Sequence, residues 1–281
     1  MSWSAQQQKM LAAMGLRVWA PPPLELPESE SALEAPLAAQ PDPAQALDAP
    51  SAPRKPRPPL PPAAVQPHAA AAGPLAGLDW PALREVVAGC RACSLCETRT
   101  QTVFGVGHPH AHWMVIGEAP GEQEDLQGEP FVGPAGQLLD RMLAALKLTR
   151  ATDGDAPPAQ RVFIANTLKC RPPRNRNPTP EELQRCEPFL MRQIELVKPR
   201  IILAMGAFAV KALLRSDQPV GRLRGQVHRY HGVPLVVTYH PAYLLRSLTE
   251  KAKAWEDLCL AAQVVEEGVE SSGPYAQPAP V

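Results

Sequence analysis

No run of about 18 apolar residues occurs in this chain of 281 residues, so its composition excludes a helical membrane protein. The N-terminal stretch MSWSAQQQKMLAAMGLRVW places glutamines where a signal peptide needs an unbroken apolar core, and the expectation is a soluble, cytoplasmic protein. Net charge is lacking too. The 28 basic residues balance 28 acidic ones, which excludes a histone-like binder and leaves bulk charge naming no partner. Six cysteines are too few for a disulfide scaffold, and clustered thiols in a reducing compartment more often hold metal than each other. No internal repeat is visible, and collagen-like periodicity is absent. Proline, in contrast, is abundant at 35 residues, of which 16 fall within residues 1–77. That region has almost no β-branched residues, six acidic and five basic side chains. It cannot bury enough apolar surface to offset the entropy of ordering.

Within this N-terminal third, Met10, Leu11, Met14 and Val18 have helical spacing before Pro21, Pro22 and Pro23 end the pattern. Residues 3–18 read as a short helix, either a docking peptide for a protein partner or a frayed segment, weakened by Gly15. From Pro21 to about Gly77 the Pro/Ala mixture reads as an extended, disordered linker. Composition changes at Leu78. Asp79 and Pro81 open a helix expected to reach about Ala88. Short apolar runs then alternate with amphipathic segments. Strands are expected at 112–117, 161–167, 200–206 and 233–240, and helices at 135–146, 180–198, 207–214 and from Lys251 to about Glu266. Such alternation predicts a three-layer α/β/α sandwich around a mainly parallel, four-stranded sheet covering residues 78–267. The segment 221–232 adds an antiparallel excursion, and a loose tail follows from Gly268. Ligands of open parallel sheets bind beyond the carboxyl ends of the strands.

Four groups of residues carry chemistry in that frame. Cys90, Cys93 and Cys96 form C-x2-C-x2-C, and Cys170 and Cys186 follow downstream. Four such thiolates suit tetrahedral zinc or an iron–sulfur cluster, and spacing alone does not choose. Cys259 reads as a core residue of the last helix. GEAPGEQED at 117–125 follows the first strand, with Gly117, Pro120 and Gly121 permitting a tight turn and Glu118 at the strand end. Phe131 sits in the loop FVGPAGQLLDRML, either as a lid on the core or as a stacking surface for a planar ligand. NTLKCRPPRNRNPTP at 166–180 follows the second strand. Between Arg161 and Pro180 it contributes to a run of five basic residues, Arg161, Lys169, Arg171, Arg174 and Arg176, with no acidic one. This is a solvated face or a phosphate-binding one. Asn166 either caps a turn or offers its amide to a base edge. Last, HPAYLLR at 240–246 carries His240, then Tyr243, Leu244 and Leu245, whose exposure makes sense if they wedge into a partner, and Arg246 to meet phosphate.

Taken together and in this order, C-x2-C at Cys90 and Cys93, VFG at 103–105, GEAPGEQED, FVGPAGQLLDRML, NTLKCRPPRNRNP and HPAYLLR closely resemble the family 4, iron–sulfur uracil-DNA glycosylases over about residues 85–262. The resemblance implies a structural [4Fe-4S] cluster held by Cys90, Cys93, Cys170 and Cys186, with Cys96 outside the family's ligand set. It also implies a monomeric, monofunctional hydrolase that acts on uracil-containing DNA, single- or double-stranded. In it, Glu118 lies near the attacking water, Phe131 stacks on flipped uracil, Asn166 reads its pairing edge, Glu124 excludes the thymine methyl and His240 donates to O2. Ala119 stands where other uracil glycosylases place a water-activating aspartate. Arg171, Arg174, Arg176, Tyr243, Leu244, Leu245 and Arg246 are the implied DNA contacts. Two other readings are a non-catalytic iron–sulfur DNA-binding or polymerase-accessory module, and a relative that bonds covalently to the abasic sugar through a later histidine. The stretch SLTEKAK after HPAYLLR holds no such histidine.

Overall fold

Strands form where apolar residues run together between turn-formers, and four such runs flanked by two short edge strands make a single sheet. A computed structural model describes residues 75–270. The expected N-terminal helix and nearly all of the Pro/Ala linker lie outside the described residues, as does the end of the C-terminal tail. The strands are β1 (Val106–Gly107), β2 (Trp113–Gly117), β3 (Val162–Asn166), β4 (Ile201–Met205), β5 (Val227–Tyr230) and β6 (Val233–Thr238), in the spatial order β1-β3-β2-β4-β6-β5. The central four, β3, β2, β4 and β6, are parallel, as expected. Antiparallel β5 is the excursion expected before the last strand. The two-residue β1, antiparallel to β3, is an addition. It is too short to leave an alternating pattern in the sequence.

The helices are α1 (Trp80–Ala88), α2 (Glu122–Gln127), α3 (Pro134–Ala145), α4 (Pro180–Val197), α5 (Ala207–Leu214), α6 (Val220–Leu223), α7 (Pro241–Leu244) and α8 (Lys251–Glu270). Every residue of β2, β3 and β4 is buried. Alternate strand residues therefore face two separate cores. Met114, Ile116, Ile202 and Ala204 pack under α1, α4 and α5, while Trp113, Val115, Ile201 and Leu203 pack under α3 and α8. A one-residue slip of any central strand would exchange the two sets, so the register is strongly specified.

Local signals set the helix ends. Asp79 Oδ1 accepts from Ala82 N at 3.0 Å, and Pro81 occupies a position where a missing N–H costs nothing. Thr179 and Glu182 form a reciprocal capping box at α4, worth on the order of 1 kcal/mol. Helix α2 departs from the sequence expectation of a plain turn. Its EQEDLQ has no apolar periodicity, but glycines flank it and three acidic residues sit in its first turn, where the helix dipole favours them. Helix α8 continues to Glu270, beyond the expected end of the folded region.

Candidate active site

The carboxyl ends of β2, β3 and β6 lie on one edge of the sheet. Gly117 pairs with Asn166 across β2 and β3. A Cβ added at Gly117 would fall 2.5 Å from Asn166 Oδ1 and 2.7 Å from Phe131 Cζ. The missing side chain thus lets an amide and an aromatic ring approach the same stretch of backbone. The Phe131 ring also lies 5.3 Å from the imidazole of His240, with an interplanar angle of 26°. Phe131 and Asn166 are 5% and 3% exposed, held in position by their surroundings. Phe131, Asn166 and His240, drawn from three segments spread over more than 100 residues of the chain, come together at this edge.

His240 caps the short helix α7. Its Nδ1 accepts from Ala242 N at 3.2 Å, so the ring proton resides on Nε2. Burial, with help from the Arg246 charge, pushes its pKa down to about 4. The imidazole is therefore neutral near pH 7 and carries one N–H donor. Glu118, the first residue past β2, is the opposite case. Burial pushes its carboxyl up to about 7, within the range where an acid/base group works best. Ala119 beside it is partly buried against the core. Glu124 on α2 accepts from Val132 N at 3.3 Å, which ties α2 to the loop carrying Phe131.

Two supporting residues, Gln193 and Asp125, escaped sequence reasoning, and a third, Lys169, figured there only as a member of the basic run. Lys169 is 1% exposed, and its Nζ donates to the Asn166 carbonyl at 2.8 Å and to Gln193 Oε1 at 2.6 Å. Gln193, fully buried on α4, donates in turn to the Phe104 carbonyl at 2.8 Å. Burial pushes the Lys169 ammonium down to about 8, against the pull of nearby Cys186 and Cys170. Asp125, also buried, accepts from Thr100 N with both oxygens at 3.0 and 2.9 Å. The only sequence signal for any of these was a polar residue inside an apolar or loop segment.

Cys90, Cys93, Cys96, Cys170 and Cys186 line one recess, walled by Leu95, Leu168 and Phe189. Arg99 Nη1 donates to Cys170 Sγ at 2.9 Å, and Nη2 of the same guanidinium donates to the Cys90 carbonyl at 2.7 Å. Lys169 N donates to Cys186 Sγ at 3.3 Å. Burial raises the thiols of Cys93 and Cys170 and pushes Cys186 up to about 12. Among the described residues no three His, Cys, Asp or Glu side chains close around a single ion-sized point.

The family model for the uracil DNA glycosylase superfamily matches residues 104–259, more than half the chain. The chain is 42% identical over 171 residues to the type-4 uracil-DNA glycosylase of Archaeoglobus fulgidus, covering 58% of this chain and 81% of that protein. It is 40% identical over 191 residues to the type-4 enzyme of Pyrobaculum aerophilum, covering 65% and 93% respectively. Identity to the type-4 enzyme of Thermotoga maritima is 39% over 171 residues, covering 60% and 84%. The chain belongs to the type-4 uracil-DNA glycosylases.

In this glycosylase the loops expected to meet DNA divide into available and occupied residues. Tyr243 and Leu245 are 39% and 42% exposed, but Leu244 is fully buried in the core beneath α7. The expectation of Leu244 as a wedge is therefore corrected, because one turn of helix points it at the core formed with α3 and α8. Arg174 and Arg246 are exposed. Arg171 donates to Asn175 Oδ1 at 2.7 Å and lies 3.5 Å from Glu122. Arg176 grips Glu182 with two bonds of 2.9 and 2.5 Å, so its charge is largely neutralised in place. Two members of the basic run are not surface residues at all. Lys169 is buried as described, and Arg161 is 4% exposed, with its guanidinium capping carbonyls of residues 151–156.

Proposed function

We propose that the protein flips uracil out of DNA and hydrolyses its N-glycosidic bond, leaving an abasic site for base excision repair. The observation that carries this reading is the meeting of Phe131, Asn166 and a neutral His240 at the ends of β2, β3 and β6. A base inside a duplex is out of reach, so it must be unstacked before its edges are read. The Phe131 ring offers a face for the pyrimidine, and the Asn166 amide offers a donor and an acceptor for its pairing edge.

Bond cleavage gives the sugar oxocarbenium character while uracil departs as an anion spread over N1 and O2. The Nε2–H of His240, aimed at O2, stabilises that charge most in the transition state. A neutral imidazole keeps its proton while donating, so uracil leaves as the anion. Glu118, as a carboxylate above about pH 7, orients the incoming water and faces the cationic sugar. Glu124 tightens the loop that carries Phe131 and stands where a 5-methyl group would need room. Arg171, Arg174 and Arg246 hold phosphates, and Tyr243 with Leu245 fills the gap in the stack.

The donor set of the cysteine recess fits a [4Fe-4S] cluster on Cys90, Cys93, Cys170 and Cys186. Thiols around a recess suit a multi-atom cluster better than one tetrahedral zinc, and N–H donors to two of the sulfurs stabilise thiolates. The cluster would supply no step of the hydrolysis; it would tie the segment after α1 to the loop after β3. Purified protein incubated with a uracil-containing oligonucleotide, then treated with alkali, tests the activity. Alkali-dependent scission at uracil is expected. An adduct surviving denaturation, or no cleavage, would overturn the reading in favour of a covalent relative or a binding module.

A further inference from the structure

Phe131 adopts φ +56°, in the left-handed region that bulky residues avoid at a cost of about 1–3 kcal/mol. A strained aromatic keeps that conformation only if its surroundings enforce it. Arg150 supplies the constraint. Its Nη1 donates to the Pro130 carbonyl and its Nη2 to the Phe131 carbonyl, both at 2.9 Å. Its Nε donates to Asp140 Oδ1 on α3 at 2.7 Å. On the other side, a Cβ at Gly136 would sit 1.6 Å from the Phe131 carbonyl oxygen. That carbonyl is clamped between the first turn of α3 and the guanidinium.

From this we infer that Arg150 is a positioning residue for uracil recognition, acting through Phe131 without touching the base. A planar fork satisfies two successive carbonyls in one fixed geometry, which a single ammonium does not do as well. Without it the Phe131 peptide relaxes toward negative φ, and the ring leaves the space it shares with Gly117, Asn166 and His240. Arg150 lies outside every motif of the family resemblance, and its side chain is only 17% exposed. The inference rests on the proposed uracil excision.

A double-mutant cycle tests it, using Arg150→Met and Phe131→Ala singly and together in the full chain. The readouts are kcat/KM on a uracil oligonucleotide, inhibition by free uracil and melting temperature. Arg150→Met is expected to lower kcat/KM by about 10- to 100-fold and to weaken inhibition by free uracil, yet to cost no further activity once Phe131 is alanine. Losses that multiply, or a lowered melting temperature with unchanged kcat/KM, would show Arg150 to be merely structural. Should Arg150→Met fail to fold, Asp140→Asn, on an exposed carboxylate, enters the same cycle with the same expected pattern. An inactive wild-type protein would instead sink the excision reading itself.

Discussion

The aromatic face of Phe131 lies 5.3 Å from the imidazole of His240, although 109 residues separate them in the chain. The contact joins the loop before α3 to the loop after β6, across the ends of β2 and β4. It brings an aromatic face and an imidazole N–H donor to one region. The same region is bounded by Asn166 and by the bare backbone of Gly117. Each of these groups is ordinary alone. Their convergence is what supports the proposal that a flipped pyrimidine is held here.

Activity is expected to rise with pH through about 7. Glu118 is pushed to about 7 by burial and works as the carboxylate, while His240, pushed to about 4, is neutral throughout that range. The pH profile of single-turnover kcat/KM checks this; an acid limb near 4 would shift control to His240. The stability effect has the opposite sign. The folded protein keeps a proton on Glu118 that the unfolded chain releases, so this group's contribution to stability falls as pH rises from about 4.5 to about 7. Glu118→Gln is expected to raise the melting temperature at pH 8 but not at pH 4, while lowering activity by about 100-fold or more.

Gly117→Ala tests how closely the base-reading groups are packed. The new methyl would fall 2.5 Å from Asn166 Oδ1 and 2.7 Å from Phe131 Cζ, displacing both. Uracil excision is expected to drop by about 100-fold, with the iron content unchanged. Activity near that of wild type would mean that Asn166 and Phe131 are not both needed where they stand.

Serine at Cys90, Cys93, Cys170 or Cys186 is expected to remove iron and the visible absorption of an iron–sulfur cluster. Cys96→Ser is expected to keep both. Arg99 and Lys169 aim N–H donors at Cys170 and Cys186, and Cys96 stands outside the ligand set that the resemblance implies. A colourless protein with stoichiometric zinc, or loss of iron in Cys96→Ser, would contradict it.

Adjacent leucines separate core from DNA contact. Leu244→Ala, at a fully buried position, is expected to cost about 2–5 kcal/mol of stability. Leu245→Ala, at an exposed one, is expected to leave stability alone and slow excision from duplex more than from single strands, because only the duplex needs unstacking. Thermal melts and the two substrates side by side resolve the pair.

The elements that could be read from sequence are those with strong local causes. Strands β2, β3 and β4 are buried on both faces and so appear as unbroken apolar runs. Helix α2 was invisible because its stability comes from flanking glycines and the dipole, with no apolar stripe. The sequence brought Phe131, Asn166 and His240 to notice only as loop or strand-end oddities, and the resemblance supplied their roles. Leu244 and Leu245 are chemically identical neighbours, and only the path of the chain over the core tells them apart. Arg150, Lys169 and Arg99 spend their donors chiefly on backbone carbonyls and a sulfur, acceptors that no side-chain pattern displays.

The most direct test is the single-turnover rate of uracil release by His240→Ala, measured beside its affinity for the same oligonucleotide. A neutral imidazole that donates only to the departing base predicts a rate lower by about 100- to 1,000-fold with DNA affinity nearly unchanged. Equal losses in rate and affinity, or a rate within a few-fold of wild type, would contradict that role.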